Sequence, residues 1–304
     1  MSIPVITKLA THPIILPQTQ FTDIFGKSNA YLEMNPAMQI QENGSTKILV
    51  RCVNYRKFQD KKFTLYEPKS NSKYFLMSGN MTLRQPLNLE NFTVNEIQYS
   101  YGMQTYPSYW TGLEDIRFID QKNILATIPE CNPSGNPTIF RANLNSSFIS
   151  NFQPCFPNSV PEKNWMPFQT ESEFPKVIYS LSPFIIKSVN SDDKQEIPVS
   201  PAVESALQGY HGSTNGIQFQ NGEFIFLIHG NREKSYHRWL RFNPKTNQIQ
   251  ISPEFTFFRN SYIEFPCSLS EWNQTYFVGL GVNDDKAFIV EISKYTVQQQ
   301  DWIS

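Results

Sequence analysis

Residues 216–252 read GIQFQNGEFIFLIHGNREKSYHRWLRFNPKTNQIQIS, and this stretch decides the fold class. Three apolar runs, 223–229, 237–242 and 248–252, are separated by segments rich in Asn, Gly and Pro. Apolar runs of about four to eight residues between such turns are typical of β-strands. None of the runs keeps the 3.6-residue period of a helix. The stretch therefore predicts antiparallel strands that follow one another directly.

Similar groups of short strands recur along the chain, at residues 48–77, 115–142, 165–189 and 263–292. Together with the first stretch they make five groups, spaced by roughly 45–60 residues, which is the scale of β-propeller blades. We predict an all-β protein with a five-bladed β-propeller over residues 47–304; a two-sheet sandwich also fits the pattern. Residues 1–46, irregular and proline-bearing, are expected to wrap the propeller or close its ring. A helix is expected only as a short turn near 199–207.

Composition argues against several classes of partner and cofactor. The 304 residues carry a net charge of −1 without a basic run, which argues against nucleic acid. No apolar run approaches the ~20 residues that span a bilayer, and the first residues lack the features of a signal peptide, so we expect a cytoplasmic protein without a membrane partner. Four widely spaced cysteines without a CxxC pair predict reduced thiols and no metal site. No cofactor is expected.

The segment Trp110-Thr-Gly-Leu-Glu-Asp-Ile-Arg117 concentrates two carboxylates and a guanidinium at the start of an apolar run. Side chains alternate along a strand, so Asp115 and Arg117 are expected on one face and Glu114 on the other. An acid beside a fixed cation can keep its charge or deliver a proton under control. A surface ion pair is the simpler interpretation of such a triplet taken alone.

The propeller hypothesis brings further polar residues together, because the first strand of each blade lines the central channel. Taken singly, most have a structural interpretation, such as a turn for Asp284 or a core histidine for His229. Asp, Asn, Arg and His beside aromatic rings suit a carbohydrate, and no Gly-x-Ser-x-Gly elbow, phosphate loop or His-x-x-x-His spacing occurs. The candidate site residues are Arg51, Asn54, Tyr55, Arg56, Glu114, Asp115, Arg117, Asn164, Trp165, His211, His229, Tyr236, His237, Glu264 and Asp284.

Several of these segments resemble one family in particular. Gly112-Leu-Glu-Asp-Ile-Arg117 is similar to the Gly-x-Glu-Asp-Pro-Arg signature of the β-mannoside phosphorylases and mannosidases of glycoside hydrolase family 130. Further likenesses, over residues 48–293 in the family's order, include those to uncharacterised relatives associated with glycosyltransferases. The segments that carry them are Phe226–Gly230, Ile263–Cys267 and Gly279–Asp284 for the family, and Val53–Arg56, Glu162–Phe168 and Gly212–Thr214 for the relatives. The resemblance implies a five-bladed propeller with a central sugar-binding pocket.

The resemblance also implies roles for individual residues. Asp115 matches the family's general acid, Glu114 and Arg117 would hold that acid and the sugar, and Asp284 would bind the glycone. Tyr179-Ser-Leu-Ser-Pro183 stands where phosphorylases tend to have His-Arg-Pro, so a phosphate-binding arginine is missing here. Ile116 replaces the proline of the signature, which changes little chemically.

Three functional hypotheses follow. The first is inverting cleavage of a β-mannoside-like linkage, by hydrolysis or phosphorolysis, with Asp115 as acid and Glu264 as a candidate base. The second is sugar transfer from a sugar-nucleotide or sugar-phosphate donor on the same propeller. Inorganic phosphate would be the co-substrate of phosphorolysis, and a sugar nucleotide would be that of transfer. The third is a propeller that binds glycan without cleaving it. All predict a carbohydrate partner and one funnel that brings together Arg51, Asn54, Asp115, Arg117, Asn164, His229 and Asp284. An arginine is expected within hydrogen-bond or ion-pair reach of Asp115, with Arg117 and Arg56 as the favoured candidates.

Overall fold

Short runs of β-branched and aromatic residues between polar turns form the strands, as such side chains favour the extended backbone. The structure is a computed structural model and describes residues 3–17, 20–23, 25–57, 63–65, 70–83, 86–155, 160–170 and 174–304. Three strands lie in the N-terminal segment: β1 (Ala10–Ile14), β2 (Gln20–Thr22) and β3 (Ser28–Ala30). β2 and β3 pair as a hairpin, whereas β1 joins the last blade.

The chain crosses between the first and second blades more than once, so each of these blades has a short parallel strand at its outer edge. Blade one contains β4 (Leu32–Ile40), β5 (Ser45–Val53), β8 (Ser70–Asn80), β9 (Thr93–Glu96) and β11 (Trp110–Thr111), and a small hairpin of β6 (Tyr55–Lys57) and β7 (Phe63–Leu65) follows β5. Blade two contains β12 (Glu114–Phe118), β13 (Asn123–Ile128), β14 (Thr138–Asn145) and β15 (Phe148–Pro154). The short strand β10 (Gln98–Tyr99) pairs in parallel with β15.

The remaining three blades follow the chain in order. Blade three contains β16 (Met166–Phe168), β17 (Lys176–Leu181), β18 (Phe184–Ser188) and β19 (Lys194–Glu196). After helix α1 (Pro201–Leu207), blade four contains β20 (Tyr210–Gly212), β21 (Ile217–Gln218), β22 (Phe224–Asn231), β23 (Ser235–Asn243) and β24 (Gln248–Ile251). Blade five contains β25 (Glu264–Trp272), β26 (Thr275–Val282) and β27 (Lys286–Ser293), and helix α2 (Lys294–Gln298) follows it.

Five hydrophobic clusters each lie between two neighbouring blades. Every one of them takes buried side chains from both blades, and burying a large apolar side chain contributes roughly 1.5–3 kcal/mol. Representative pairs around the ring are Leu76 with Ile124, Leu125 with Val177, Phe168 with Phe226, Leu227 with Val278, and Phe277 with Ile48. The five-bladed β-propeller is thereby confirmed, and the two-sheet sandwich is wrong. Neither α1 nor α2, the α-helices of the described ranges, has the length and apolar character to cross a membrane.

The N-terminal segment differs from the expectation of irregular structure over residues 1–46. Ala10–Ile14 pairs with β27 and supplies the outer strand of blade five, so the two ends of the chain meet in one sheet. Leu32–Ile40 is a strand of blade one, with Met34 and Ala37 buried. A register shift between Met34 and Ala37 accommodates Pro36, which lacks the N–H of a regular ladder. The proline therefore obscured a strand in the sequence, and the first blade begins before residue 47.

Candidate functional site

A central pocket of about 310 Å³ lies where the five blades meet. Strand β12 contacts both β4 and β25, which brings the ends of these strands together in the channel. Every blade, or the turn beside it, contributes to the wall of this central pocket. The polar and aromatic residues that line it are Asn35, Arg51, Tyr55, Trp110, Glu114, Asp115, Lys163, His229, Asn231, Ser235, Glu264, Phe265 and Asp284.

Asp115 is held in an unusual backbone conformation at the start of blade two. Its φ of +46° is rare for a residue with a side chain, and the register of β12 shifts between Glu114 and Arg117. The Oδ1 atom accepts hydrogen bonds from Asn35 Nδ2 at 2.8 Å and from Arg51 Nη1 at 3.1 Å. The local distortion therefore turns the carboxylate into the central pocket, where two strands of blade one fix it.

Arg51 joins the two carboxylates of the motif. Its guanidinium is 4% exposed, and Nη2 donates to Glu114 Oε1 at 2.8 Å while Nε donates to Ser72 Oγ at 3.0 Å. The arginine predicted beside the Asp115 carboxylate is present, but it is Arg51 and not the favoured Arg117 or Arg56. Arg117 donates instead to the backbone oxygen of Asp115 at 3.1 Å and to Ser213 O. The register shift explains the difference, because it breaks the alternation that would have placed both side chains on one face.

The charge state of Asp115 results from opposing effects. Burial on its own would raise the pKa of the carboxyl, because a charged group loses solvation. The positive charges of Arg51 and Arg117 and the hydrogen bond from Asn35 outweigh burial, so the pKa of Asp115 is lowered below its ordinary value. The carboxyl group is consequently ionised at neutral pH while the pocket is empty.

His229 presents a neutral ring to the central pocket. Burial, together with the charges of His237, His211 and Arg117, lowers its pKa to about 3. Its Nδ1 lies 2.7 Å from Ser213 Oγ, and its ring packs edge-on against Phe265. A neutral imidazole with one nitrogen engaged can exchange hydrogen bonds with a hydroxyl group but brings no charge for an anion.

Glu264 lies beneath the surface of the pocket, and its carboxylate is already saturated. It accepts hydrogen bonds from His237 Nε2 at 3.0 Å, from Phe257 N at 2.8 Å, from Phe258 N at 2.7 Å and from the Ser261 hydroxyl. Burial would raise the pKa of Glu264, but these hydrogen bonds and the nearby His237 lower it overall. A base needs a lone pair that faces the nucleophile, so these contacts favour a structural role for Glu264.

Eight of the candidate residues lie outside the central pocket. Trp165 is 2% exposed and donates Nε1 to Glu162, so it packs between blades and offers no platform to a sugar. His237 is fully buried against Glu264, and the Asn54 side chain accepts from Asn71 N. Asn164 and His211 line a neighbouring cavity. The other three are Arg56, Arg117 and Tyr236. Seven side chains were expected together in one funnel. Of these, Arg51, Asp115, His229 and Asp284 line the central pocket, whereas Asn54, Arg117 and Asn164 do not.

Sequence reasoning missed several residues of the pocket, above all Asn35 and Trp110. Trp110 is 49% exposed and lines the pocket, which is the arrangement by which an aromatic face meets a sugar ring. Its position four residues before Glu114 was a usable signal. Asn35 offered none, because it lies in the segment that was expected to be irregular. Within the described ranges, no group of His, Cys, Asp or Glu is arranged to hold a metal ion.

The comparisons with known proteins concern the fold. No family model and no curated protein matches the chain. The solved β-1,2-mannobiose phosphorylase of Listeria innocua is 12% identical, with a TM-score of 0.60 over 93% of this chain and 99% of that one. A mannose phosphorylase of Leishmania mexicana is 11% identical, with a TM-score of 0.53 over 90% and 87%. The fold is theirs.

A third solved structure has the same fold and is named for the family-130 mannoside phosphorylases, which contain glycoside hydrolases that target β-1,2 mannosidic linkages in Candida mannan. This protein is 10% identical to the chain, with a TM-score of 0.58 over 97% of each. The resemblance to family 130 is thus confirmed at the level of the propeller, because identities of 10–12% carry the fold and no more.

Gly112, two residues before Glu114, is expected to be intolerant of a side chain. Its φ is +89°, and a Cβ there would lie 2.4 Å from the backbone oxygen of Ser72. Gly102 is a matched control, since its φ is +65° and a Cβ there meets nothing within 4 Å. Gly102→Ala should destabilise by about 1 kcal/mol, and Gly112→Ala by a further ~1–3 kcal/mol for the steric conflict. Urea denaturation of both variants measures the difference, and equal losses would contradict this prediction.

Glu130 holds the same segment from the other side. Its Oε1 accepts from Gly112 N and from Tyr101 Oη, each at 2.6 Å, whereas the buried Oε2 has no partner. Burial raises the pKa of Glu130 despite these hydrogen bonds, so ionisation in the folded state lowers the stability of the fold.

Glu130→Gln is therefore expected to raise the melting temperature at pH 7. The gain should shrink as the pH falls, because protonated Glu130 no longer carries the buried charge. Scanning calorimetry at pH 7 and pH 4 measures it, with the exposed Glu196→Gln as control. A lower melting temperature for Glu130→Gln at pH 7 would refute the assignment.

Proposed function

We propose that the chain is a glycan-active enzyme that cleaves a β-mannoside-like linkage with inversion, with Asp115 as the general acid. One observation carries the proposal: a carboxylate fixed by Asn35 and Arg51 faces a pocket that also exposes the aromatic ring of Trp110. Carboxylates that flank a glycosidic bond and an aromatic platform for the ring are what this chemistry uses. The solved structures with the same fold are named as mannoside phosphorylases and hydrolases, which agrees with it.

The proposed reaction divides the work between two faces of the sugar. Asp115 supplies a proton to the leaving oxygen through a sugar hydroxyl, which gives up its own proton and takes the one from Asp115. The nucleophile attacks the anomeric carbon from the opposite face as the glycosidic bond breaks. In hydrolysis this nucleophile is water, whose proton passes to a second carboxylate. Of the described pocket residues, Glu114 and Asp284 are the remaining carboxylates that can accept that proton.

The charges of the pocket favour water over phosphate as the nucleophile. Among the residues that the structure describes, four carboxylates line the central pocket, from Glu114, Asp115, Glu264 and Asp284, against the cations Arg51 and Lys163. Arg51 is already paired with Glu114 and Asp115, and His229 is neutral. An anion placed there would meet like charges, and the guanidinium that the described wall offers is already engaged. For the same reason the pocket suits a sugar-nucleotide donor less well than a neutral glycan.

A turnover experiment tests the proposal. The protein is incubated with β-1,2-mannobiose and with an aryl β-mannoside, with and without inorganic phosphate, and the anomeric signals of the products are followed by NMR. Release of α-configured product without phosphate is the expected result. Retention of configuration would contradict the assignment of an inverting mechanism, and absence of turnover in every mixture would contradict an enzymatic function.

Glycan binding without cleavage is a second candidate, and the lowered pKa of Asp115 favours it. An acid that is ionised in the empty pocket holds no proton to deliver, whereas a pocket that only binds needs none. Isothermal titration with β-1,2-mannobiose separates the two functions. Saturable binding without product, unchanged in Asp115→Asn, would support the binding function and displace the enzymatic one.

A further inference from the structure

A second cavity, of about 500 Å³, lies between blades three and four, beside the central pocket. Its wall is formed by the segment before β16, by β17 and the turn after it, and by the residues around β20. The side chains that matter for its chemistry are Lys163, Asn164, Tyr179, Ser182, Gln208 and His211. Asn164 and His211, which the sequence predicted for the central site, therefore lie in this second cavity instead.

Two features show that the cavities adjoin. Lys163 lines both of them, with its Nζ 3.9 Å from Glu114 Oε2 and half of its side chain exposed. His211 in the second cavity is paired with His229 of the central pocket across β20 and β22, and their rings lie 5.7 Å apart. Lys163 therefore lies at the boundary between the two cavities.

The wall of the second cavity differs in charge from that of the central pocket. Among the described residues of the wall there is no Asp or Glu, and the wall offers the amides of Asn164 and Gln208, the hydroxyl of Ser182 and the ring of His211. Lys163 is the one lysine or arginine among them, and its ammonium group already faces Glu114. Amides, hydroxyls and aromatic rings bind neutral hydroxyl groups, whereas a phosphate group usually needs a guanidinium or several cations. The chemistry of the wall therefore fits a neutral sugar.

The shape of the wall depends on a close backbone approach. A Cβ on Gly212, at the end of β20, would lie 2.1 Å from Asn164 O, so β20 and the segment before β16 meet without a side chain between them. This contact joins blades three and four directly beside the second cavity. A surface built in this way is preformed, which lowers the entropic cost of binding.

We propose that the second cavity is a subsite for a further sugar residue of the same glycan, so that the substrate is an oligosaccharide that runs from the central pocket over Lys163 to blades three and four. The inference rests on the proposed function for the central pocket. Together the two cavities are within the size range of sites that enclose a ligand of several rings. The chain should then bind longer glycans more tightly than the disaccharide.

The experiment measures affinity against chain length. The wild-type protein is titrated calorimetrically with mannose and with β-1,2-linked mannobiose, mannotriose and mannotetraose. The dissociation constant is expected to fall by about tenfold beyond the disaccharide, which corresponds to ~1.4 kcal/mol for the added contacts. Gln208→Trp and, separately, Ser182→Trp fill the second cavity with an indole. In each variant the ratio of the dissociation constant of mannobiose to that of mannotriose should be close to one.

Gln248→Trp is the matched control, because Gln248 is exposed and lines a separate cavity at the edge of blade four. It should keep the wild-type ratio. Melting curves show whether each of the two cavity-filling variants is folded. One folded variant is enough for the test. Equal affinities for all chain lengths beyond mannose, or an unchanged ratio in a folded variant, would overturn the inference and leave the proposed function intact.

Two outcomes separate the other possibilities. If none of the saccharides binds, the function proposed for the central pocket is wrong, and the subsite proposal is lost with it. Inorganic phosphate is titrated as a further probe, alone and in competition. Displacement by phosphate of mannotriose but not of mannobiose would identify the second cavity as an anion site and overturn the inference.

Discussion

Asp115→Asn is expected to lower the turnover of β-1,2-mannobiose by about 10²–10⁴-fold, the usual contribution of a positioned acid. The asparagine oxygen can still accept the hydrogen bonds that Asn35 and Arg51 give to Oδ1, so the dissociation constant should change much less than kcat. Asp120→Asn is the matched control, since Asp120 accepts only turn N–H and amide hydrogen bonds at the far end of β12. Full turnover by Asp115→Asn would remove Asp115 from the mechanism.

The pH dependence gives an independent measure of the same role. The pKa of Asp115 is lowered in the empty pocket, so the protonated fraction grows as the pH falls towards that pKa. If Asp115 is the acid, kcat/KM of the wild-type protein should rise between pH 7 and pH 5, since this ratio follows the free enzyme. A flat profile in the wild-type protein would speak against proton donation by Asp115.

Arg51→Met is expected to destabilise the protein by about 3–5 kcal/mol, the usual cost of removing one partner of a buried charge pair. Arg51 is 4% exposed, and its loss leaves Glu114 and Asp115, which are 13% and 21% exposed, side by side without their cation. Arg232→Met is the control, because Arg232 is 63% exposed and pairs with Glu254 at the surface. Its cost should stay below about 1 kcal/mol. Urea denaturation at pH 7 compares the two variants.

The effect of Arg51 should depend on pH in a defined direction. In the wild-type protein the pKa of Asp115 is depressed, so its contribution to stability is present above the unfolded-state pKa and is lost as the pH falls through the folded-state pKa. Without Arg51 the two carboxylates repel each other when ionised, and protonation relieves this repulsion. The difference in stability between wild type and Arg51→Met should therefore be smaller at pH 4 than at pH 7. If Arg51→Met loses little stability, or loses the same amount at pH 4 and pH 7, the ion pairs of Arg51 with Glu114 and Asp115 are solvated.

Local patterns in the sequence were enough for the fold. Strands, turns and their grouping depend on neighbouring residues, so the stretch 216–252 and its four counterparts identified the blades. The Glu-Asp motif is different, because strand alternation predicts opposite faces for its two carboxylates, whereas both line the central pocket beside the register shift in β12. Pro36 shows the limit of such reasoning, because a proline that usually interrupts strands lies here at a register shift within one.

The tertiary structure alone decided which side chains meet in the pocket. Arg51 and Asn35 contact Asp115 from 64 and 80 residues away, and no local pattern encodes such a pairing. One register shift in β12 withdrew Arg117 from the pocket, since a displacement by a single residue moves a side chain to the other face of a sheet. Trp165 and Trp110 are both aromatic residues beside polar ones, but Trp165 lies in the cluster between blades two and three and Trp110 at the channel. Burial of a side chain depends on the neighbouring blade, and only the closed ring of blades determines it.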